Sequence, residues 1–417
     1  MLAYIEPILI ILLTLGIIYY YLKQGTNKSN SEPFSNILAP ANPDIGIRPL
    51  ILQNDEELPV IPINTTPLGT AGYFTARCLR KLVYPLDPIQ TYPTQELILD
   101  NLAPDQLAIV REHVLLDSSK DNQTGYAVLA PLYYEPLICL ANKYSSLTNI
   151  IDILKPKLDG TLNKMGVLRD SSKLFQVICK NRNIRLGLAD TSFTLIIYES
   201  MTELLTNLST RTLDAIFVVT HPKDSVLQAY CNDNQVRLLD LEPGAENPDI
   251  KSPLPYNPDD ENKLNEFREG IKRDVPWIFR ETMSVDKLPN ASLSALKGAS
   301  RATGNITIER VVYNTYKVRS LLIYKPAGGI ILSASSSKHL GGLASRLVRQ
   351  YQTIGRAFNS WNPIAGNDAT ADNTDLSSFD FNQLATVPNS LRIAPVMLDE
   401  LSRVGLVKRE TVMTCRT

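Results

Sequence analysis

The stretch from Asn163 to Asn181, NKMGVLRDSSKLFQVICKN, carries a whole structural unit. Asn163 to Leu168 reads as a strand. Arg169 to Ser172 supplies turn and N-cap residues, so Lys173 to Asn181 is expected to be a helix. The same logic occurs earlier. Val60 to Asn64 predicts a strand and Gly69-Thr70-Ala71-Gly72-Tyr73 a glycine turn, followed by a helix from Phe74 to Tyr84 with Phe74, Cys78, Leu79 and Leu82 on one face. Downstream come strands at Leu195 to Tyr198, Ala215 to Thr220 and Val236 to Leu241, interleaved with helices at Met201 to Leu208 and Pro222 to Asn232. Such alternation marks a mostly parallel α/β sheet. Between the two units, Tyr126 to Pro131 and Leu137 to Ala141 read as buried strands around a crossing point at Tyr133-Tyr134-Glu135-Pro136, and Thr148 to Leu154 as a short helix.

The composition narrows the function. The 417 residues are 44% hydrophobic and 20% charged, enough for two or three packed domains. Lys and Arg number 42 against 43 Asp and Glu, so no basic field draws the chain to nucleic acid, and no nucleic-acid partner is expected. His113, His221 and His339 are far apart and lack ligand spacing, so no metal site is expected. The five cysteines (Cys78, Cys139, Cys179, Cys231, Cys415) are widely spread with no CxxC, the usage of a reduced compartment. They read as small buried side chains; only Cys231 has a histidine close in sequence, His221. Neither GxGxxG nor a P-loop is present, so no nucleotide and no cofactor is expected. Asp100, Glu112 and Glu135 read as surface or capping acids, and no catalytic set emerges, so the chain is not expected to be an enzyme.

At the N-terminus, Ile8 to Leu22 (ILIILLTLGIIYYYL) runs without a charge, and residues 1–22 read as a retained membrane anchor in contact with a lipid bilayer. A cleaved signal fits less well, because Glu6 precedes the run and three tyrosines end it. Lys23 and Lys28 follow the run, which places the body on the cytosolic side as a single-pass protein. The sequons at Asn64, Asn122, Asn207, Asn290 and Asn305 matter only for a lumenal body. Residues 23–58, rich in Asn, Ser, Pro and Gly, read as a flexible tether.

The order Gly69 to Phe74, Leu129 to Leu137, Met165-Gly-Val with Ser171-Ser172, Leu213 to Val218 with Pro222, and Val236 to Leu241 resembles the TAXI class of TRAP-transporter solute receptors. That resemblance implies a two-lobe, periplasmic-binding-protein-like α/β body over roughly residues 60 to 350. It would divide as first lobe 59–140, second lobe 141–245 and a return segment with a helix over 246–358, leaving 359–417 as a C-terminal extension. It also implies a cleft in which Gly69, Thr70, Ala71, Gly72 and Tyr73 face Ser171, Ser172 and Lys173 around a small carboxylate. Hydroxyls, an ammonium and two helix N-termini suit such a ligand. Ala71 stands where the family tends to have a glycine pair.

Beyond the return, Asp259 to Lys272 reads as a charge-dense solvated helix, Pro253 to Asp260 as a surface loop and Asp274 to Phe279 as a return crossing with Trp277 in the core. A helix from His339 to Phe358 carries Arg346, Arg349 and Arg356 on its polar side, an interaction surface for phosphate or an acidic partner. Asn359 to Asn382 is a polar stretch and Leu391 to Val407 is amphipathic. Two functions are therefore expected. The first is a structural or interaction component with protein partners in a membrane-associated assembly, such as the layer between the internal membrane and shell of a large virion. The alternative is a receptor that closes on a small carboxylate.

Overall fold

The computed structural model describes residues 61–83, 88–122, 125–142, 144–145, 147, 150–154, 157, 159–181, 193–234, 236–239, 241, 258–284, 288, 291–293, 312–326, 334–361, 379–388 and 391–406. The anchor at residues 1–22, the tether at 23–58, the loop at 253–257, the Ala327-Gly-Gly run and most of the polar stretch before Asp380 lie outside the described residues. No helix among the described residues is long and apolar enough to cross a membrane. Asp55–Thr417 forms one compact unit.

In chain order the strands are β1 Ile63–Thr65, β2 Ile89–Thr91, β3 Gln106–Arg111, β4 Ala127–Asn142, β5 Asn163–Leu168, β6 Phe193–Tyr198, β7 Ala215–Val219, β8 Val236–Leu238, β9 Phe279–Ser284, β10 Ala291–Leu293, β11 Val312–Lys325 and β12 Arg392–Ile393. The helices are α1 Ala71–Leu82, α2 Gln95–Asn101, α3 Glu112–Asn122, α4 Arg169–Asn181, α5 Met201–Ser209, α6 Ser225–Asp233, α7 Pro258–Asp274, α8 Ala334–Asn359 and α9 Pro395–Arg403. Short 3-10 turns lie at Ile150–Leu154 and Phe381–Thr386.

The strand pairing repeats itself. In the first lobe the parallel strands β2, β1 and β3 are followed by antiparallel β11 and then β4. In the second, parallel β6, β5 and β7 are followed by antiparallel β4 and then β8. The antiparallel strand of each lobe comes from the other. β4 pairs with β11 through Pro136 and with β7 from Leu137 onward. β11 pairs with β9 over Val312–Lys317 and with β3 over Ser320–Lys325. These two strands are the only crossings the pairing shows among the described residues, so they join the two halves in the place where a two-lobe body has its hinge strands. A two-lobe α/β body is thus present, as the sequence led one to expect.

The sequence reading split β4 in two at Tyr133 to Pro136, and the strand is continuous. Proline lacks a donor and normally interrupts a central strand. Pro136 is tolerated because it stands where β4 hands over from β11 to β7; its carbonyl accepts from Thr220 N at 3.3 Å. Every β4 residue between Val128 and Ala141 is buried, which explains the near-continuous apolar run.

Helices cover both lobes. α1 begins at Thr70, whose hydroxyl accepts from Tyr73 N, and ends in Arg80 and Lys81, which complement the helix dipole. Phe74, Cys78 and Leu79 are buried as predicted, whereas Leu82 is only half-buried. In the second lobe a single core joins Ile138, Val167, Phe175, Phe217 and Val236 to Phe267 and Ile271 of α7. The α7 helix is therefore charged on one face and buried on the other. Trp277 is half-buried against that core. α9 docks on α8 through Met397, Leu398 and Leu401, and the adjoining β12 adds to β4, so this part of the C-terminal extension packs on the first lobe. Cys78, Cys139, Cys179 and Cys231 are free and buried.

Candidate functional site

Polar residues collect where the lobes meet. Arg111 ends β3 in the first lobe and is 6% exposed. Its Nε donates to Glu135 Oε2 at 2.6 Å and its Nη2 to Glu135 Oε1 at 3.4 Å, on the hinge strand β4. Its Nη1 donates to Asp170 Oδ2 at 2.8 Å, in the first turn of α4 in the second lobe. One guanidinium therefore spans the seam. Burial works against its charge, but Glu135 and Asp170 hold it above the usual arginine range. The planar fork of arginine suits such shared recognition of two carboxylates.

Neighbouring groups complete the seam. His113 Nε2 donates to the Asp170 carbonyl at 3.0 Å, which fixes the tautomer. Burial first, then the Arg111 charge, lowers its pKa to about 4. Ser320 Oγ donates to Glu135 Oε2 at 3.1 Å. Asp224 caps α6, its Oδ1 accepting from Val226 N at 3.0 Å and Leu227 N at 3.1 Å. Burial pushes the Asp224 carboxyl up to about 6, with the Glu135 charge adding and Arg111 opposing.

The residues singled out in the sequence are distributed as follows. Gly69 takes φ +91°, a backbone that favours glycine, and its carbonyl accepts from Ser225 N of the second lobe at 3.0 Å. A side chain on Gly72 would stand 2.6 Å from both Thr65 Oγ1 and Thr66 Oγ1, so α1 begins in close contact with β1. Thr70 Oγ1 donates to the Pro67 carbonyl at 2.7 Å and lies 2.6 Å from Thr66 Oγ1; Ala71 is buried and Tyr73 half-buried. Ser171 is wholly buried; its hydroxyl donates to Asp170 Oδ1 at 3.0 Å and accepts from Val219 N at 3.3 Å. Ser172 Oγ donates to the Arg169 carbonyl at 2.7 Å. Helix α4 thus starts at Arg169, ahead of the predicted cap. Lys173 is exposed but electrically close to the first lobe: Glu96 on α2 is raised by burial and by Asp170, with Lys173 opposing.

Both sets of turn residues lie near the seam, yet the hydroxyls of Thr70, Ser171 and Ser172 are committed to local bonds. Among the groups that bridge the lobes are Arg111 and His113, which both meet Asp170, and Gly69, which meets Ser225. The surface or capping reading holds for exposed Asp100 alone. Glu112 and Glu135 are buried and ion-paired, the first with Arg319 of β11 at 2.8 Å and the second with Arg111. An isolated buried carboxylate would cost several kcal/mol, and each is kept by its arginine.

Beside the ion pairs lies an aromatic plug. Tyr133 of β4 stacks on Phe358 at 4.8 Å, and Phe74 of α1 stacks on Trp361 at 4.8 Å. His221 of the second lobe meets Phe358 edge-on at 5.1 Å. The end of α8 thereby sits between the lobes, and Lys223 Nζ donates to the carbonyl of Asn359 at 2.9 Å. Arg349 and Arg356 on the same helix are exposed, whereas Arg346 is half-buried. Arg349 adjoins α9: Glu400 is held down by Arg403 and Ser345, with Arg349 contributing.

No family model matches the chain. No curated protein matches it either. Among solved structures it is similar to an arginine transport system periplasmic binding protein from Legionella pneumophila, at 15% identity over 52% of this chain and 94% of that one, with a TM-score of 0.32. It is also similar to Tv2483 bound to L-arginine, at 11% identity over 77% and 93% with a TM-score of 0.37. A third is the periplasmic binding protein BugD, at 10% identity over 72% and 86% with a TM-score of 0.38. At such scores these likenesses carry no weight for what this chain binds.

Proposed function

We propose that the body is a non-enzymatic, two-lobe receptor domain that binds a small carboxylate at the interlobe seam, in the manner that the TAXI resemblance implies. The observation that carries this reading is Arg111, a buried guanidinium on one lobe already holding a carboxylate of the other at 2.8 Å. Hinge strands β4 and β11 supply the motion by which two such lobes close on a ligand. The Ile8 to Leu22 segment would hold the receptor at a membrane. Calorimetric titration of the full chain with a panel of dicarboxylates and amino acids tests it: saturable, submillimolar binding is expected, and absence of heat at every concentration would overturn it.

A second reading, a scaffold or interaction component of a membrane-associated assembly, is favoured by the plug of Tyr133, Phe358, Trp361 and His221. A seam filled by the chain's own side chains needs no solute to stay shut. Cross-linking in the native membrane separates the two, since a scaffold yields neighbours and a receptor yields heat. Nothing among the described residues bears on the virion setting.

A further inference from the structure

Asp170 differs from Glu135 in one respect that matters at Arg111. Glu135 belongs to the hinge strand, so it stays with Arg111 whatever the lobes do; Asp170 arrives from the second lobe. Parting the lobes therefore takes Asp170, and not Glu135, away from Arg111. Its Oδ1 keeps the Ser171 hydroxyl at 3.0 Å, a partner from its own helix, so the departing carboxylate is not abandoned. What the first lobe loses is specific: the acceptor for Arg111 Nη1 and the acceptor for His113 Nε2, which are the carboxylate and the backbone carbonyl of the same residue. Both donors belong to residues almost wholly buried, Arg111 at 6% and His113 at 2%, so each needs a replacement acceptor.

We propose that Asp170 is a built-in competitor, an internal carboxylate and carbonyl that occupy the ligand's place on Arg111 and His113 and latch the lobes together. This rests on the receptor reading above, and it narrows the ligand to a small carboxylate carrying a second hydrogen-bond acceptor. The ligand displaces an acid of the protein rather than water, so its affinity is set by the difference between two carboxylates on one guanidinium. Removing the competitor should tighten binding by about tenfold or more, since a hydrogen bond to a charged group contributes on the order of 1.5–3 kcal/mol, about tenfold per 1.4 kcal/mol.

The test is chemical rescue on the full chain. Asp170→Ala leaves a carboxylate-sized gap on Arg111 and Asp170→Ser nearly the same room, so the second serves should the first not fold; Asp170→Asn, which keeps the shape with the charge removed, leaves no gap and should show no rescue. Thermal unfolding is followed in sodium acetate, sodium malonate and sodium chloride at equal ionic strength. The latch predicts that acetate and malonate raise the melting temperature of the variant above chloride, malonate more than acetate, and leave wild type unmoved. Equal effects of all three salts on variant and wild type would overturn it. Rescue does not depend on the natural ligand. A rescue without heat in the panel titration therefore keeps the latch and removes the receptor, and heat without rescue does the reverse.

Discussion

Arg319 Nη2 lies 2.8 Å from Glu112 Oε1, with both side chains fully shielded from solvent, and this pair ties the returning hinge strand β11 to the start of α3. Arg319 Nη1 also donates to the Gln383 carbonyl at 2.8 Å and to Thr386 Oγ1 at 2.9 Å, so the C-terminal 3-10 turn hangs on the same guanidinium. Burial raises the Glu112 pKa, and Arg319 opposes that rise. Arg319→Met alone should cost about 3–5 kcal/mol, because it strands a buried acid; Arg319→Met with Glu112→Leu should recover most of that loss. Urea unfolding of both variants reads the difference, and equal costs would show that the pair is not what matters there.

Gly72→Ala should destabilise the first lobe by about 1–3 kcal/mol, since its Cβ would come within 2.6 Å of two threonine hydroxyls that have β1 behind them. Gly342→Ala on α8 is the control for space, because nothing lies within 4 Å of a Cβ there and its backbone carries no positive φ. Denaturation midpoints that fall equally in both would mean that crowding at Gly72 is relieved elsewhere.

Two buried groups at the seam oppose each other in pH dependence. His113 has a folded pKa of about 4 against 6.5 free, so the unfolded chain takes up its proton first and stability falls as pH drops from 6.5 towards 4. Asp224 has a folded pKa of about 6 against 3.8 free, so the folded state holds the proton and stability falls as pH rises from 3.8 towards 6. Each contributes on the order of 3 kcal/mol, with opposite sign. Asp224→Asn, which keeps the cap acceptor, should leave a protein that loses stability more steeply than wild type between pH 6 and 4. Parallel stability curves for the two proteins would contradict this.

The thiols of Cys78 and Cys231 are pushed by burial to about 12, and those of Cys139 and Cys179 are raised further. With the thiolate suppressed and access closed, these four should resist iodoacetamide in the native protein and react on unfolding. Peptide mass spectrometry after a brief exposure gives the answer; rapid native labelling of any of them would mean that its part of the core opens.

The alternation of strands and helices was legible because each lobe is built from local units: Asn163–Leu168 was located to the residue, and β1, β6 and β7 within a few residues. The hinge strand was misread at Pro136, where a local rule met a topological exception. The bridging site was not legible. Arg111 stands 24 residues from Glu135 and 59 from Asp170, and nothing in the spacing of charges says which will pair. Glu112 looked like any acid at the start of a helix; its partner Arg319 is 207 residues away. Gly69 and Gly72 gave a better signal, because a glycine before a helix marks a close approach, here to Ser225 and to Thr65 and Thr66.

The lobes themselves provide the decisive reading. Spin labels at exposed Asp100 in the first lobe and exposed Thr206 in the second allow the interlobe distance to be measured by pulsed electron resonance. A receptor latched by Asp170 gives one narrow distance in otherwise wild-type protein, a broader and longer distribution in Asp170→Ala, and a narrow one again when malonate is added. The same narrow distance in every sample would mean that the lobes do not move and that the seam is simply core.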